Sequence, residues 1–184
     1  MRSFTFVALA ALALGANAAT VNKRAISTPV QTCINDIIAV SNQLDIVTAD
    51  VNAFTSSAGY SGAIAIHTKE QVLETKLKQA GTDCCAVSGT VTDEEAQAVL
   101  AVVSDLVPDV TAALASIVSK KSQFDAILLA TTLVKNDIKN LDSQTNTLDT
   151  CLLAKTPSAY KTQANGLVTQ ISNAFASAKS AYGI

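Results

Sequence analysis

Apolar residues recur at intervals of three and four positions along nearly the whole chain from about residue 28 onward. This spacing is typical of amphipathic helices, and no segment shows the alternation expected of a strand. The connections between the helical segments are short, which favours antiparallel neighbours. The sequence therefore predicts an all-α fold: an up-and-down bundle of about five amphipathic helices.

The first predicted helix has the most regular apolar face. We expect Thr28 to be its N-cap and Pro29 its first residue, where the missing N–H costs nothing. Two rows of residues seven positions apart form one seam, so the helix should pack lengthwise against its partners. The first row is Val30, Ile37, Leu44 and Val51, and the second is Cys33, Val40, Val47 and Phe54.

The second helix should follow a Gly- and Ser-containing turn at 56–62 and end near Gly81. Its predicted apolar face is Ile66, Leu73, Leu77 and Ala80. The segment 80–90 is the longest predicted loop. After it, Thr92 and Glu95 form a capping box that begins the third helix.

The third helix contains Pro108, which favours a kink over a split because the apolar spacing continues beyond it. The pattern restarts near 119–125, where Ser122 and Asp125 are available as a cap and its partner. The fourth helix then has a second seam, formed by Ile127, Val134, Leu141 and Leu148 with Thr131, Ile138, Thr145 and Leu152. Thr156 and Pro157 should begin the last helix, which is predicted to bury Tyr160, Ala164, Leu167, Ile171, Phe175 and Ala178.

The first 24 residues are typical of a secretory leader. Arg2 precedes an apolar run from 4 to 14 that is too short to span a bilayer, and Ala16-Asn17-Ala18 fits a signal-peptidase site. Residues 1–18 are therefore predicted to be a signal peptide cleaved after Ala18, and 19–24 a propeptide ending in the dibasic Lys23-Arg24. A short membrane anchor and an ordinary charged linker are the alternatives. Residues 25–184 are predicted to form one domain in an extracellular protein.

The charge of residues 25–184 argues against nucleic-acid binding. Ten Lys and Arg residues against 15 Asp and Glu residues give a formal net charge of −5, the opposite of a phosphate-binding face. We expect no second apolar stretch long enough to span a membrane after the leader, and the C-terminal residues lack the hydrophobic tail of a glycolipid-anchor signal. The protein is expected to be released, or held non-covalently in a cell wall.

The four cysteines, Cys33, Cys84, Cys85 and Cys151, predict a disulfide framework in a secreted chain. A bond between the adjacent Cys84 and Cys85 would close a cramped ring, so each is expected to reach a different helix, one pairing with Cys33 and one with Cys151. Zinc binding is the alternative, but Cys33 and Cys151 are solitary and adjacent cysteines replace a C-x2-C pair poorly.

No catalytic constellation is found in the sequence. The segment 59–63, GYSGA, nearly matches the hydrolase elbow, but its last residue is Ala63 and no strand precedes Ser61. His67 is the single histidine, so structural roles are predicted for Ser61 and His67. Glu94 and Glu95 are interpreted as charges at a helix start. The sequence thus predicts a protein that is not an enzyme and that has no cofactor and no metal site.

Apolar side chains are the most abundant groups with which this chain could bind a ligand. Most seam residues should simply be core, but helices of small and β-branched residues also favour a cavity that accepts an apolar ligand. At about 0.8 kcal/mol per buried methylene, ten buried methylenes offer up to about 8 kcal/mol before ordering costs, which is enough for micromolar binding of an acyl chain. The residues predicted from their seam positions to touch it are Leu44, Val47, Val51, Phe54, Val134, Ile138, Leu141, Leu167 and Ile171.

The dibasic leader and three segments, 28–54, 119–141 and 159–182, resemble the fungal hydrophobic surface-binding protein A family, which includes the cell-wall galactomannoproteins. This resemblance implies an exported helical bundle that adsorbs to hydrophobic surfaces and recruits a secreted polyester hydrolase there. In relatives of the wall-protein type it also implies a fatty acid held between helices. The family's Ser/Thr-rich tail and anchor signal are not found here, and no family disulfide pattern is carried over onto Cys84 and Cys85.

The alternative function is that of a structural cell-wall mannoprotein or secreted antigen without a lipid ligand. A lipid carrier predicts saturable binding with a defined stoichiometry, and a surface adsorber predicts binding to polyester or wax without one. A structural wall protein predicts neither.

Overall fold

The structure, a computed structural model, describes residues 26–184; the predicted signal peptide and propeptide lie outside the described residues. Within this range there are six α-helices and no strand. They are α1 (Thr28–Ala53), α2 (Gly59–Ala86), α3 (Asp93–Ser119), α4 (Lys121–Asp125), α5 (Ala130–Lys155) and α6 (Lys161–Tyr182). The all-α prediction with five long helices is confirmed; α4 is a five-residue addition.

The five long helices form a closed ring in the order α1, α2, α5, α6, α3, because each packs against the next. Helices α1 and α3 run in the same direction: the Ser27 N–H donates to Glu95 at one end, and Lys120 Nζ donates to the carbonyl of Phe54 at the other. Helix α6 also runs parallel to α3, since Tyr182, at its end, donates to the carbonyl of Ile117 near the end of α3.

Helices α2 and α5 run in the opposite direction and parallel to each other, since His67 contacts Asp137 and Cys85 bonds to Cys151. Residue numbers rise along α1 while those of the contacting residues fall along α2: Cys33 bonds to Cys84, and Gln43 donates to the carbonyl of Lys69. Helices α1 and α2 are therefore antiparallel. Chain direction therefore alternates as the up-and-down prediction requires, although ring neighbours are not always neighbours in sequence.

The disulfide bonds Cys33–Cys84 and Cys85–Cys151 join α2 to α1 and to α5, with Cα–Cα distances of 4.7 and 5.1 Å. The prediction that each adjacent cysteine reaches a different helix is confirmed. The prediction that this pair lies in a loop is wrong, because α2 continues past Gly81 to Ala86. Its buried face, which includes Leu77, Ala80, Gly81 and Cys84, keeps helical spacing through the glycine. The connection is therefore only 87–92.

Glu95 links the beginnings of α1 and α3. The backbone N–H groups of Thr92 and Ser27 donate to its two carboxylate oxygens at 3.0 and 2.9 Å, and its own N–H donates to Thr92 Oγ1 at 3.3 Å. The predicted capping box is confirmed. Hydrogen bonds from Ser27 and Thr92 hold the pKa of Glu95 at about 2. The cap of α1 is Ser27, one residue before the predicted Thr28.

Two predicted helix starts are wrong. Ser122 lies inside α4, and Asp125 instead accepts a hydrogen bond from Thr131, so α5 begins only at Ala130. The Thr156 hydroxyl donates to the carbonyl of Leu152 and thus closes α5 rather than opening the last helix. Helix α6 follows a 3₁₀ turn, Ser158–Tyr160.

The buried face of the last helix differs in part from the prediction. In the last helical segment Tyr160 and Leu167 are only partly buried, whereas Tyr182, which was not predicted, is buried.

Helix α3 runs unbroken through Pro108, so it is not split.

Helix α3 is also long and apolar enough to cross a membrane by length and composition. The expectation that no stretch after the leader has this length is therefore wrong. In the structure this helix packs against α1 and α6. The absence of a membrane-spanning segment stays a prediction.

Removal of each disulfide should destabilise the bundle, by about 2–4 kcal/mol for Cys85→Ala/Cys151→Ala. The variant Cys33→Ala/Cys84→Ala should lose more, because those two residues are 2% and 1% exposed and truncation also leaves a cavity. Urea unfolding followed by circular dichroism measures both losses. Equal midpoints for the wild type and both variants would contradict the assignment of a structural role to the bonds.

Candidate functional site

The ring of helices encloses a cavity of about 120 Å³. All six helices contribute to its wall, which is mainly aliphatic. Seven of the nine residues predicted to touch an apolar ligand line it: Leu44, Val47, Val51, Val134, Ile138, Leu141 and Ile171. Whether they touch a ligand stays a prediction.

The other two predicted residues lie elsewhere. Leu167 lines a second cavity of about 40 Å³, beside the Cys33–Cys84 disulfide. Val103, Asp149 and Leu152 line both cavities. The two spaces therefore lie in line along the bundle axis, divided by these three side chains.

Phe54 lies at the opposite end of the bundle and does not line the main cavity. Its ring stacks on Phe124, with centroids 4.3 Å apart and planes 11° apart, and Phe124 itself forms part of the cavity wall. A Cβ on Gly62 would come within 3.4 Å of the Phe54 ring and 2.5 Å of the Ala58 Cβ. Gly59 has a φ of +63° at the start of α2. The two glycines of the hydrolase-like segment thus serve backbone turning and packing.

A polar cluster interrupts the apolar wall. His67 and Glu70 on α2 and Asp137 on α5 all line the cavity. The Nδ1 atom of His67 lies 2.9 Å from Oδ1 of Asp137 and 3.8 Å from Oε2 of Glu70. This cluster was not predicted from the sequence, because Asp137 is 70 residues from His67. The only available signal was the i, i+3 spacing of His67 and Glu70, which is weak alone.

Burial controls the protonation of the acids on the cavity wall. It raises the pKa of Glu70 well above its ordinary value, and the nearby charges of Asp137 and Glu74 add to this shift. Burial also raises the pKa of Asp137, against the opposing effect of His67. Asp149, whose Oδ2 has no partner among residues 26–184, has its pKa raised by burial to about 6.

The cluster does not contain a serine nucleophile. Ser61 is exposed and donates to the carbonyl of Ala58 at 3.2 Å, while the imidazole of His67 pairs with Asp137. These contacts provide no base for Ser61, and the structural roles of both residues stay predictions.

The fold and cavity define a class: disulfide-linked helical bundles with an apolar site between the helices. A family model described as hydrophobic surface binding protein A matches residues 30–154. The chain therefore belongs to the hydrophobic surface binding protein A family. The C-terminal segment that carried part of the resemblance, 159–182, lies beyond that match. A search of curated proteins found no match.

Solved structures of other proteins share the fold. The structure of AfMP4p in complex with palmitic acid has a TM-score of 0.78 and 27% identity, covering 83% of this chain and 99% of that one. Ligand-binding domain 2 of Penicillium marneffei MP1, complexed with multiple arachidonic acids, has a TM-score of 0.74 and 19% identity over 88% and 97% of the two chains. Domain 1 of the same protein, with arachidonic acids, has a TM-score of 0.76 and 16% identity over 85% and 99%.

The Asp149→Asn substitution should stabilise the protein increasingly as the pH rises above about 4, with the full gain reached above about pH 6. A carboxyl whose folded pKa exceeds its unfolded pKa contributes stability at low pH, and that contribution is lost as the pH rises from about 4 to about 6. Asparagine does not titrate. We therefore expect equal unfolding free energies near pH 3.5 and a gain of about 2–3 kcal/mol for the variant at pH 7.5.

Urea unfolding at both pH values measures this difference. The Asp105→Asn variant, which changes an exposed carboxyl on α3, controls for net charge. A pH-independent effect of Asp149→Asn would contradict the assigned role of burial.

Proposed function

We propose that this protein is a non-catalytic binder of long-chain fatty acids or similar apolar ligands, which it holds between its helices. The observation that carries the proposal is the cavity of about 120 Å³ whose aliphatic wall comes from every helix. A well-packed interior leaves few voids larger than a water molecule. The palmitic-acid complex of the similar AfMP4p supports a fatty acid as the ligand.

The size of the cavity sets a condition on binding. An apolar cavity of about 150 Å³ holds benzene, so about 120 Å³ accommodates only part of a long acyl chain. A complete chain requires the three residues between the two cavities, Val103, Asp149 and Leu152, to move aside, or the helices to separate. Each buried methylene then contributes about 0.8 kcal/mol before ordering costs.

Calorimetric titration of delipidated, disulfide-intact protein with palmitate, below its micelle concentration, tests this proposal. We expect saturation near one or two ligands per chain. The Val47→Phe variant places a ring in the cavity and should weaken binding by about tenfold or more. Because that ring fills existing space, the thermal midpoint should be kept or raised.

The matched control is Ile46→Phe, one position away on the outer face of α1, where the side chain is 47% exposed. Its affinity should equal that of the wild type. Unchanged affinity in Val47→Phe, together with a lowered midpoint, would mean that the position is packed core and that the ligand binds elsewhere.

We also propose adsorption to hydrophobic surfaces, favoured by a different observation. Leu128 and Leu129, between α4 and α5, are 85% and 59% exposed. Leu129 has a φ of +72°, a conformation that costs a bulky residue about 1 kcal/mol or more. This two-leucine tip lies between Phe124 and Ala130, which both line the cavity. Strained, exposed leucines beside the cavity suit contact with an apolar solid or lipid layer.

The double variant Leu128→Ser/Leu129→Asn should adsorb several-fold less to polyester particles in a depletion assay. Asparagine tolerates the left-handed conformation, so folding should be preserved. The control, Ile38→Ser/Ile46→Ser, removes two exposed apolar residues of α1 and should adsorb like the wild type. Equal depletion of both double variants would locate adsorption away from the tip. Extracellular location and recruitment of a hydrolase stay predictions.

A further inference from the structure

The polar cluster on the cavity wall has a composition that an apolar ligand does not explain. His67, Glu70 and Asp137 each offer one ligating atom, and these atoms all lie within 4.8 Å of one another. Ligands bound to zinc at about 2.0 Å in tetrahedral geometry lie roughly 3.3 Å apart. The separations of 2.9 and 3.8 Å from the imidazole nitrogen to the two carboxylates bracket that value.

Glu70 is the second, independent sign of a missing partner. Its side chain is only 4% exposed, and it lines the cavity. Within residues 26–184 no N–H group or hydroxyl donates to either of its carboxylate oxygens, and the groups in hydrogen-bonding range are the carboxyls of Glu74 and Asp137. Buried polar groups in folded proteins are almost always paired, because an unpaired one costs free energy. A buried carboxyl that has only other carboxyls in hydrogen-bonding range therefore indicates a cation that would bind there.

The local charge favours a cation. The charge of Glu74 also acts on both Glu70 and Asp137, so this part of the wall combines three carboxyl groups with the single imidazole of His67. The neighbouring Lys69 does not balance them, because it forms an ion pair with Asp50. A bound cation would compensate this excess of acidic groups and pair the oxygens of Glu70 at the same time.

We propose that His67, Glu70 and Asp137 bind a divalent transition-metal ion, represented by Zn²⁺, on the wall of the cavity. An imidazole with two carboxylates suits zinc, whereas Mg²⁺ and Ca²⁺ prefer ligand sets made of oxygen alone. Three protein ligands leave a further position open towards the cavity. The prediction from the sequence was that there is no metal site, and the cluster exists only once α2 and α5 lie side by side.

The test uses metal-stripped protein without lipid, so its outcome does not depend on the fatty-acid proposal. Calorimetric titration with Zn²⁺ should saturate at one ion per chain, and excess Mg²⁺ should not compete. His67 is the only histidine in the sequence. Its imidazole resonances in a nitrogen–proton correlation spectrum should therefore shift with the same stoichiometry in the wild type, where no substitution complicates folding.

Glu70→Gln and Asp137→Asn should each weaken Zn²⁺ binding by about tenfold or more. The Glu94→Gln control, which changes an exposed carboxyl at the start of α3, should bind like the wild type. Unmoved imidazole resonances in the wild type, or equal affinity in a folded Glu70→Gln variant, would overturn the proposal.

Discussion

The adjacent cysteines at the end of α2 determine how the bundle is arranged. Successive helix residues point about 100° apart, so Cys84 and Cys85 face different neighbours and bond to α1 and α5. Helix α2 is therefore held between these two helices at one end of the molecule. Glu95 then joins α3 to the start of α1, and α6 packs between α3 and α5 to complete the ring.

A ring of five helices creates a packing problem at its centre. The side chains there must reach across from all sides, and many of those facing inward are small or β-branched, including Val47, Val51, Ala63, Val110 and Val134. Their volume leaves a space of about 120 Å³. Dense packing is the rule in protein interiors, and departures from it are expected where function requires them. The acids Glu70, Asp137 and Asp149 on the same wall are a further departure, since each would be more stable in water than buried.

The sequence allowed the faces of the helices to be predicted because burial on a helix follows its period. The two rows of the α1 seam and the capping box at Thr92 depend on residues close in sequence, and both were predicted. The loop at Cys84 was wrong because Gly81 is a breaker by propensity, whereas disulfides and packing hold the helix beyond it. The polar cluster and the strained Leu129 could not be predicted, because they depend on pairing between α2 and α5 and on a backbone turn without glycine.

The central claim is that an apolar ligand lies inside the ring of helices. Its most direct test is a crystal structure of the protein with an ω-brominated palmitic acid, located by the anomalous signal of bromine. The account predicts a bromine peak inside the bundle, in the main cavity beside Leu44, Val134 and Ile171 or in the smaller cavity beside Leu167. A peak confined to the outer surface of the helices, or none at saturating ligand, would contradict it.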